Sequence, residues 1–308
     1  MNPVQRLCTF GAAVVLLAVG AFAVGSAVEP PATAEPDSPT ANAAPAPAVS
    51  DEPAGLASTR DGYTFVPAAT TLPSGTPTEL AFRITGPDGG TVTAFDVEHE
   101  KRMHLILVRR DTSGFQHVHP TLGDDGTWRV PVTLATGGAY RAFADFAPTG
   151  GAPVTLGTDL FAPGRFTPAS PAPSRTATLP DGYAVRLDGD LVPGRSSPVT
   201  LTVTRDGRPV DDLQPYLGAY GHLVALRGGD LAYLHVHPDG TPGDGVTAPG
   251  PGIRFHIEVP STGTYRLFLD LRHDGQVRTA AFTIPAAGST APVPEPGGAG
   301  GHGHDGGH

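Results

Sequence analysis

Twelve histidines are the residues best placed for chemistry in this chain of 308. Six of them form two sets with one spacing, His104, His117 and His119 and then His222, His235 and His237. In each set the first imidazole stands thirteen positions before a His-Val-His-Pro motif. Three more, His302, His304 and His308, end the chain in a glycine-rich run. Neutral imidazoles with few carboxylates nearby suit Cu(II) or Zn(II) rather than Ca(II) or Mg(II). The only cysteine, Cys8, excludes an internal disulfide and a Cys-built zinc cluster. With methionine limited to Met1 and Met103, a thioether site for Cu(I) is disfavoured as well. The formal charge of −10, with no basic block, argues against nucleic acid as a partner.

Strand periodicity decides whether these rings can meet. In the second set, Gly228-Gly229 reads as a two-residue hairpin loop that pairs Arg227 with Asp230. That register puts Val224 opposite Tyr233 and His222 across from His235, with His237 on the same face. In the first set the turn falls at Asp111–Gly114, and any even-numbered loop keeps His104 on the face of His117 and His119. An odd loop with a bulge would separate them. Ile106, Val108 and Phe115, or Val224, Leu226 and Tyr233, continue the same faces as apolar floors that disfavour imidazolium. The alternatives are histidines hydrogen-bonded to backbone at strand ends, or packed at the contact between the repeats. The tail histidines read equally as a weak metal scavenger or as incidental residues of a Gly-rich terminus.

The elements around them repeat. Met103–Pro120 parallels Gly221–Pro238, and Gly138–Asp145 parallels Gly263–Asp270, which points to a duplicated unit. Trp128, Val130, Val132 and Leu134 alternate with polar or small residues, as do Ile253, Phe255, Ile257 and Val259. Gly/Pro/Asp clusters punctuate short β-rich runs, and no ten-residue helical pattern follows Val28. The expected fold is all-β, two tandem immunoglobulin-like antiparallel β-sandwich domains over 59–166 and 179–285. Tyr140 and Tyr265 are expected in their cores. Arg141 with Asp145, and Arg266 with Asp270, share strand faces as candidate surface ion pairs, with the two carboxylates as minor candidates for a metal. His256 should face solvent, and His99 and His273 fall in loops without an assignable partner.

Outside the sandwiches, Thr9–Val28 is an uncharged apolar run long enough to cross a bilayer as a helix. Residues 1–28 therefore read as a membrane anchor, with Arg6 inside and the remainder outside the cytoplasm. A cleaved signal ending at Gly25-Ser26-Ala27, and so a secreted protein, is the alternative. Residues 29–58 and 167–178 are Pro-rich spacers, and 286–308 a Gly/His-rich tail.

Asp206–Val224 and the two His-Val-His-Pro motifs resemble extracytoplasmic bacterial proteins that carry tandem β-sandwiches near heavy-metal handling genes. The layout over 59–285 is also similar to the CopC-like and YtkA-like sandwiches, which include periplasmic copper binders. That resemblance implies a copper or zinc carrier, buffer or sensor outside the membrane, working with a metal-transport or other extracytoplasmic protein. The chain departs from CopC-like proteins in offering no His at a mature amino terminus. A structural or protein-interaction module without metal is the second reading. A cupin-type metalloenzyme is the third, since Gly229-x5-His235-x-His237 matches the start of a cupin motif but lacks its following Glu.

Overall fold

The computed structural model describes residues 52–234 and 236–287. The expected anchor 1–28, residues 29–51 of the first spacer, His235 and the tail from 288 onward, with His302, His304 and His308, lie outside the described residues. Among the described residues there is no helix, hence none long and apolar enough to cross a membrane.

The fold is all-β, with each repeat an immunoglobulin-like antiparallel sandwich. In repeat 1 the outer sheet orders its strands Thr59–Arg60, Tyr63–Pro67, Pro77–Thr85, Trp128–Thr133 and Thr121–Leu122. Its inner sheet orders Val154–Ala162, Gly138–Pro148, His104–Arg109 and Gln116–Val118. Repeat 2 copies this plan. Its outer sheet runs Thr176–Thr178, Tyr183–Asp188, Ser196–Arg205, Gly252–Glu258 and Val236–Pro238. Its inner sheet runs Tyr233–Leu234, His222–Arg227, Gly263–His273 and Gln276–Ala286.

The outer strands show the alternation that one wet face demands. Ile253, Phe255 and Ile257 are buried while Arg254, His256 and Glu258 are exposed. Tyr140 and Tyr265 are core residues, and each also closes a corner. The Tyr140 hydroxyl donates to the carbonyl of Thr136, and the Tyr265 hydroxyl to that of Ser261, both at 2.8 Å. Each tyrosine follows a glycine, Gly138 (φ 139°) and Gly263 (φ 140°), at a backbone angle that a Cβ would strain. Such a bond back to the preceding loop is a hallmark of immunoglobulin-type sandwiches. Tyr265→Phe should therefore cost about 1 kcal/mol of stability, read from the urea midpoint, because a partly buried carbonyl loses its donor.

The inner strands differ, because both of their faces are covered. Every residue of His104–Arg109 is buried. Leu105 and Leu107 pack into the core of repeat 1, and Leu223 and Ala225 into that of repeat 2. Ile106, Val108 and Phe143 point the other way and meet Val224, Leu226, Leu231, Tyr233 and Phe268 in a third cluster. Phe115 stacks on Phe268 across it, with ring centroids 4.0 Å apart and planes 5° from parallel. The two inner sheets thus face each other, and repeats 1 and 2 form one four-layered body.

Segments composed like spacers take part in this packing. Ala54 bridges Tyr233, Gly55 N–H donates to Thr155, and Ala57 accepts from Gly157. Within 167–178, Ser174 bridges Thr283, and Thr176–Thr178 is an edge strand. The expected surface ion pairs do not form. Residues four apart on a strand share a face but sit roughly 13 Å apart, beyond a salt bridge. Arg141 instead binds Asp159 and the carbonyls of Gly55 and Leu56, and Arg266 binds the Phe282 carbonyl and the Thr283 hydroxyl.

Candidate metal centre

His104 opens its strand directly across from Asp145, and His222 opens its own across from Asp270. In repeat 1, Ile106 lies opposite His117, so the turn preserves parity and His104, His117 and His119 share the inner face. Asp111 holds that turn by accepting from the N–H and hydroxyl of Ser113. His222 shares its face with Val224 and Leu226, which brings it to the same cluster from the opposing sheet. One ligand nitrogen each from His104, His117 and His222 lies within 4.8 Å of the others. The His104 and His222 rings are parallel within 2° at 5.5 Å, and His117 and His222 are 4.9 Å apart. His119 sits 5.0 Å from His104 and 4.8 Å from His117, measured between ring centroids.

Among the described residues, the second repeat does not bring His237 to His222 as expected. Its hairpin pairs Leu226 with Tyr233, two positions out of the expected register. Asp230 accepts from the Arg227 guanidinium and from Ala232 N–H, and Leu231 takes a φ of 64°, so Gly228–Leu231 forms a four-residue loop. A shift of two leaves the faces unchanged. The inner strand, however, ends at Leu234, and Val236–Pro238 already pairs with the outer sheet. His237 is therefore exposed opposite His256, on a groove of about 630 Å³ that it shares with Arg195, Tyr233 and Glu258. The cupin-like spacing accordingly does not bring His237 to His222.

His99 joins the cluster without any signal in its spacing. It sits 5.5 Å from His222 and 6.1 Å from His104, in an exposed loop where His99 (φ 48°) and Glu100 (φ 66°) are both left-handed. Two consecutive non-glycine residues in that region carry backbone strain, which concentrates at functional sites. His273 belongs elsewhere, between the Tyr183 hydroxyl at 2.6 Å and Asp212 at 2.8 Å.

The hydrogen bonds fix the tautomers of the central pair. His104 Nε2 faces the Glu98 carbonyl at 3.0 Å, and a carbonyl only accepts, so the proton of a neutral ring sits on Nε2. His117 Nδ1 faces an Asp270 carboxylate oxygen at 2.7 Å and donates to it, while Thr279 donates to the other oxygen. The remaining nitrogens, His104 Nδ1 and His117 Nε2, face each other at 3.1 Å, a contact that either a shared proton or a metal ion satisfies. Burial, reinforced by the neighbouring His117, holds His104 down at about 4, and burial holds His119 at about 3. His222 is pushed well below its ordinary value, first by burial and then by the surrounding imidazoles. Rings disfavoured as imidazolium keep nitrogens available to a metal ion. Two nitrogens bound to one tetrahedral zinc at about 2.0–2.1 Å stand roughly 3.3 Å apart, near the spacing seen here. Carboxylate and carbonyl partners on the far nitrogens are also what ligand histidines ordinarily have.

Both sandwiches, over 57–158 and 176–288, match the model of a domain of unknown function, DUF8832. No curated protein matches the chain. Among solved structures it is similar to FdeC, an Escherichia coli adhesin, at 14% identity over 75% of this chain and 65% of that one, with a TM-score of 0.25. It is similar to invasin, a bacterial integrin-binding protein, at 12% identity over 74% and 40%, TM-score 0.22. A putative membrane anchored protein from Corynebacterium diphtheriae matches at 10% identity over 73% and 57%, TM-score 0.22. The chain spans less than two thirds of each of these proteins. Superpositions this loose carry no functional argument, and nothing in these matches connects the chain to heavy-metal handling or to the copper-binding sandwiches.

Proposed function

We propose that this chain, which belongs to the DUF8832 family through both of its repeats, is a metal-binding protein that holds one divalent transition ion, copper or zinc, between its sandwiches. The observation that carries the reading is the convergence of ring nitrogens: His104 Nδ1 and His117 Nε2 lie 3.1 Å apart, with His222 beside them. An all-imidazole donor set suits Cu(II) and Zn(II), and Asp270 supplies the compensating carboxylate behind His117. What these residues do is bind and orient: the Glu98 carbonyl fixes the His104 ring, Asp270 fixes His117, and Ile106 and Val224 form an apolar wall on one side. The uncharged run Thr9–Val28 behind Arg6 supports a location outside the cytoplasm, membrane-anchored or secreted, where the protein would carry, buffer or sense the ion.

Calorimetric titration of the full chain tests this, with His302, His304 and His308 changed to alanine to silence the tail. One equivalent of Cu(II) or Zn(II) should bind, and His222→Phe, which keeps ring volume, should weaken binding at least about tenfold. Equal binding by His222→Phe would refute an inter-repeat centre.

A second reading is a structural or protein-interaction module without metal. The apolar cluster between the inner sheets favours it, since those eight side chains join the repeats with no ion at all. Absence of Cu(II) and Zn(II) binding in the same titration would select this reading.

A further inference from the structure

We propose that His119 supplies a fourth nitrogen beside His104, His117 and His222, so that the ion is a closed clasp between the repeats and not an open reaction centre. This rests on the metal reading above. The first ground is an orphan: His119 Nε2 is buried and has no hydrogen-bond partner. A buried polar atom left unsatisfied costs about 1–3 kcal/mol, and native structures rarely keep one without a use for it. The second is position. His119 follows the Gln116–Val118 strand and shares the face of His117 two residues earlier, which points its ring into the cluster.

The third ground is that the other nearby groups are committed or unsuited. Both oxygens of Asp270 are engaged, by His117 and Thr279. Glu98 meets His104 through its backbone carbonyl and is itself exposed to solvent. The Tyr216 ring lies 6.5 Å from that of His119, edge-on to it. His99 is exposed, its ring 5.5 Å from that of His222. Four protein ligands mark a structural zinc-type site, whereas catalytic sites keep three and an open position. Three rings from repeat 1 and one from repeat 2 would then tie the two sandwiches through a single ion, leaving no position for a substrate.

Co(II) is the probe, bound to the full chain in the tail-silenced background. The unmodified centre should give the intense visible bands of four-coordinate cobalt, unchanged by azide. His119→Ala, and His119→Phe as a volume-keeping second variant, should bind Co(II) at least about tenfold more weakly, since loss of a mere supporting partner already costs 10–100-fold. Both variants should also acquire an azide-dependent spectrum. Wild-type affinity and bands in the two variants, or azide binding to the unmodified centre, would overturn the four-nitrogen assignment while leaving the metal reading intact. No Co(II), Zn(II) or Cu(II) bound by the unmodified centre would overturn both.

Discussion

Acidifying the metal-free protein from pH 7 to pH 4 should remove stability on the order of 3 kcal/mol through His104 alone. The sign follows from proton counting. Unfolded, the ring titrates at its model value of 6.5, and folded, burial holds it at about 4. Above 6.5 neither state is protonated and the full stability is present. Between 6.5 and about 4 only the unfolded chain takes up the proton, so stability falls with pH and levels off below the folded value. His222 acts in the same direction. His119 does too, with its share reduced by partial exposure. Most carboxylates titrate lower, so this loss precedes ordinary acid denaturation. Urea midpoints at pH 7, 5.5 and 4 would show it, and His104→Gln should flatten the slope. A midpoint indifferent to pH across that window would mean that the rings are not held neutral by burial.

Phe268→Ala should cost about 3–5 kcal/mol, the usual range for deleting a buried aromatic ring. Phe268 is 2% exposed, stacks on Phe115, and lies in the cluster that contains side chains of both repeats. Its loss should therefore do more than lower a midpoint. It should weaken the coupling between repeats, so that a single calorimetric transition separates into two. Tyr265→Phe, inside one repeat, should leave the transition single. A single transition for Phe268→Ala with the full loss of stability would place that ring's contribution within repeat 2.

Much of this architecture is legible in the chain. The alternation at Trp128–Val132 and Ile253–Ile257 fixed both the outer strands and their buried faces, because one wet side imposes period two. Parity likewise put His117 and His119 on one face, with His104 joining them on condition of an even-numbered loop, and the register in repeat 2 could slip by two without changing which side His222 occupies. What spacing could not show is which face meets which. The strands His104–Val108 and His222–Leu226 are apolar at consecutive positions, a pattern of strands covered on both sides, and this was the available sign of a sandwich-on-sandwich contact. His237 left the cluster because its strand changes sheets after Leu234, a decision of tertiary packing that the shared His-Val-His-Pro motif conceals. His99 had no partner at a telling interval, since a loop with two left-handed residues brings it in.

The meeting of the inner sheets also bears on how such a chain can evolve. After a duplication one copy is ordinarily free to drift or disappear. Here each copy conceals the greasy wall of its sibling, and the imidazoles of the first copy find their companion on the second. Neither half is spare, and no foreign module can be spliced between them without prising that wall apart. The ancestral symmetry survives in backbone and corner tyrosines, while the histidine cluster draws unequally on the two copies.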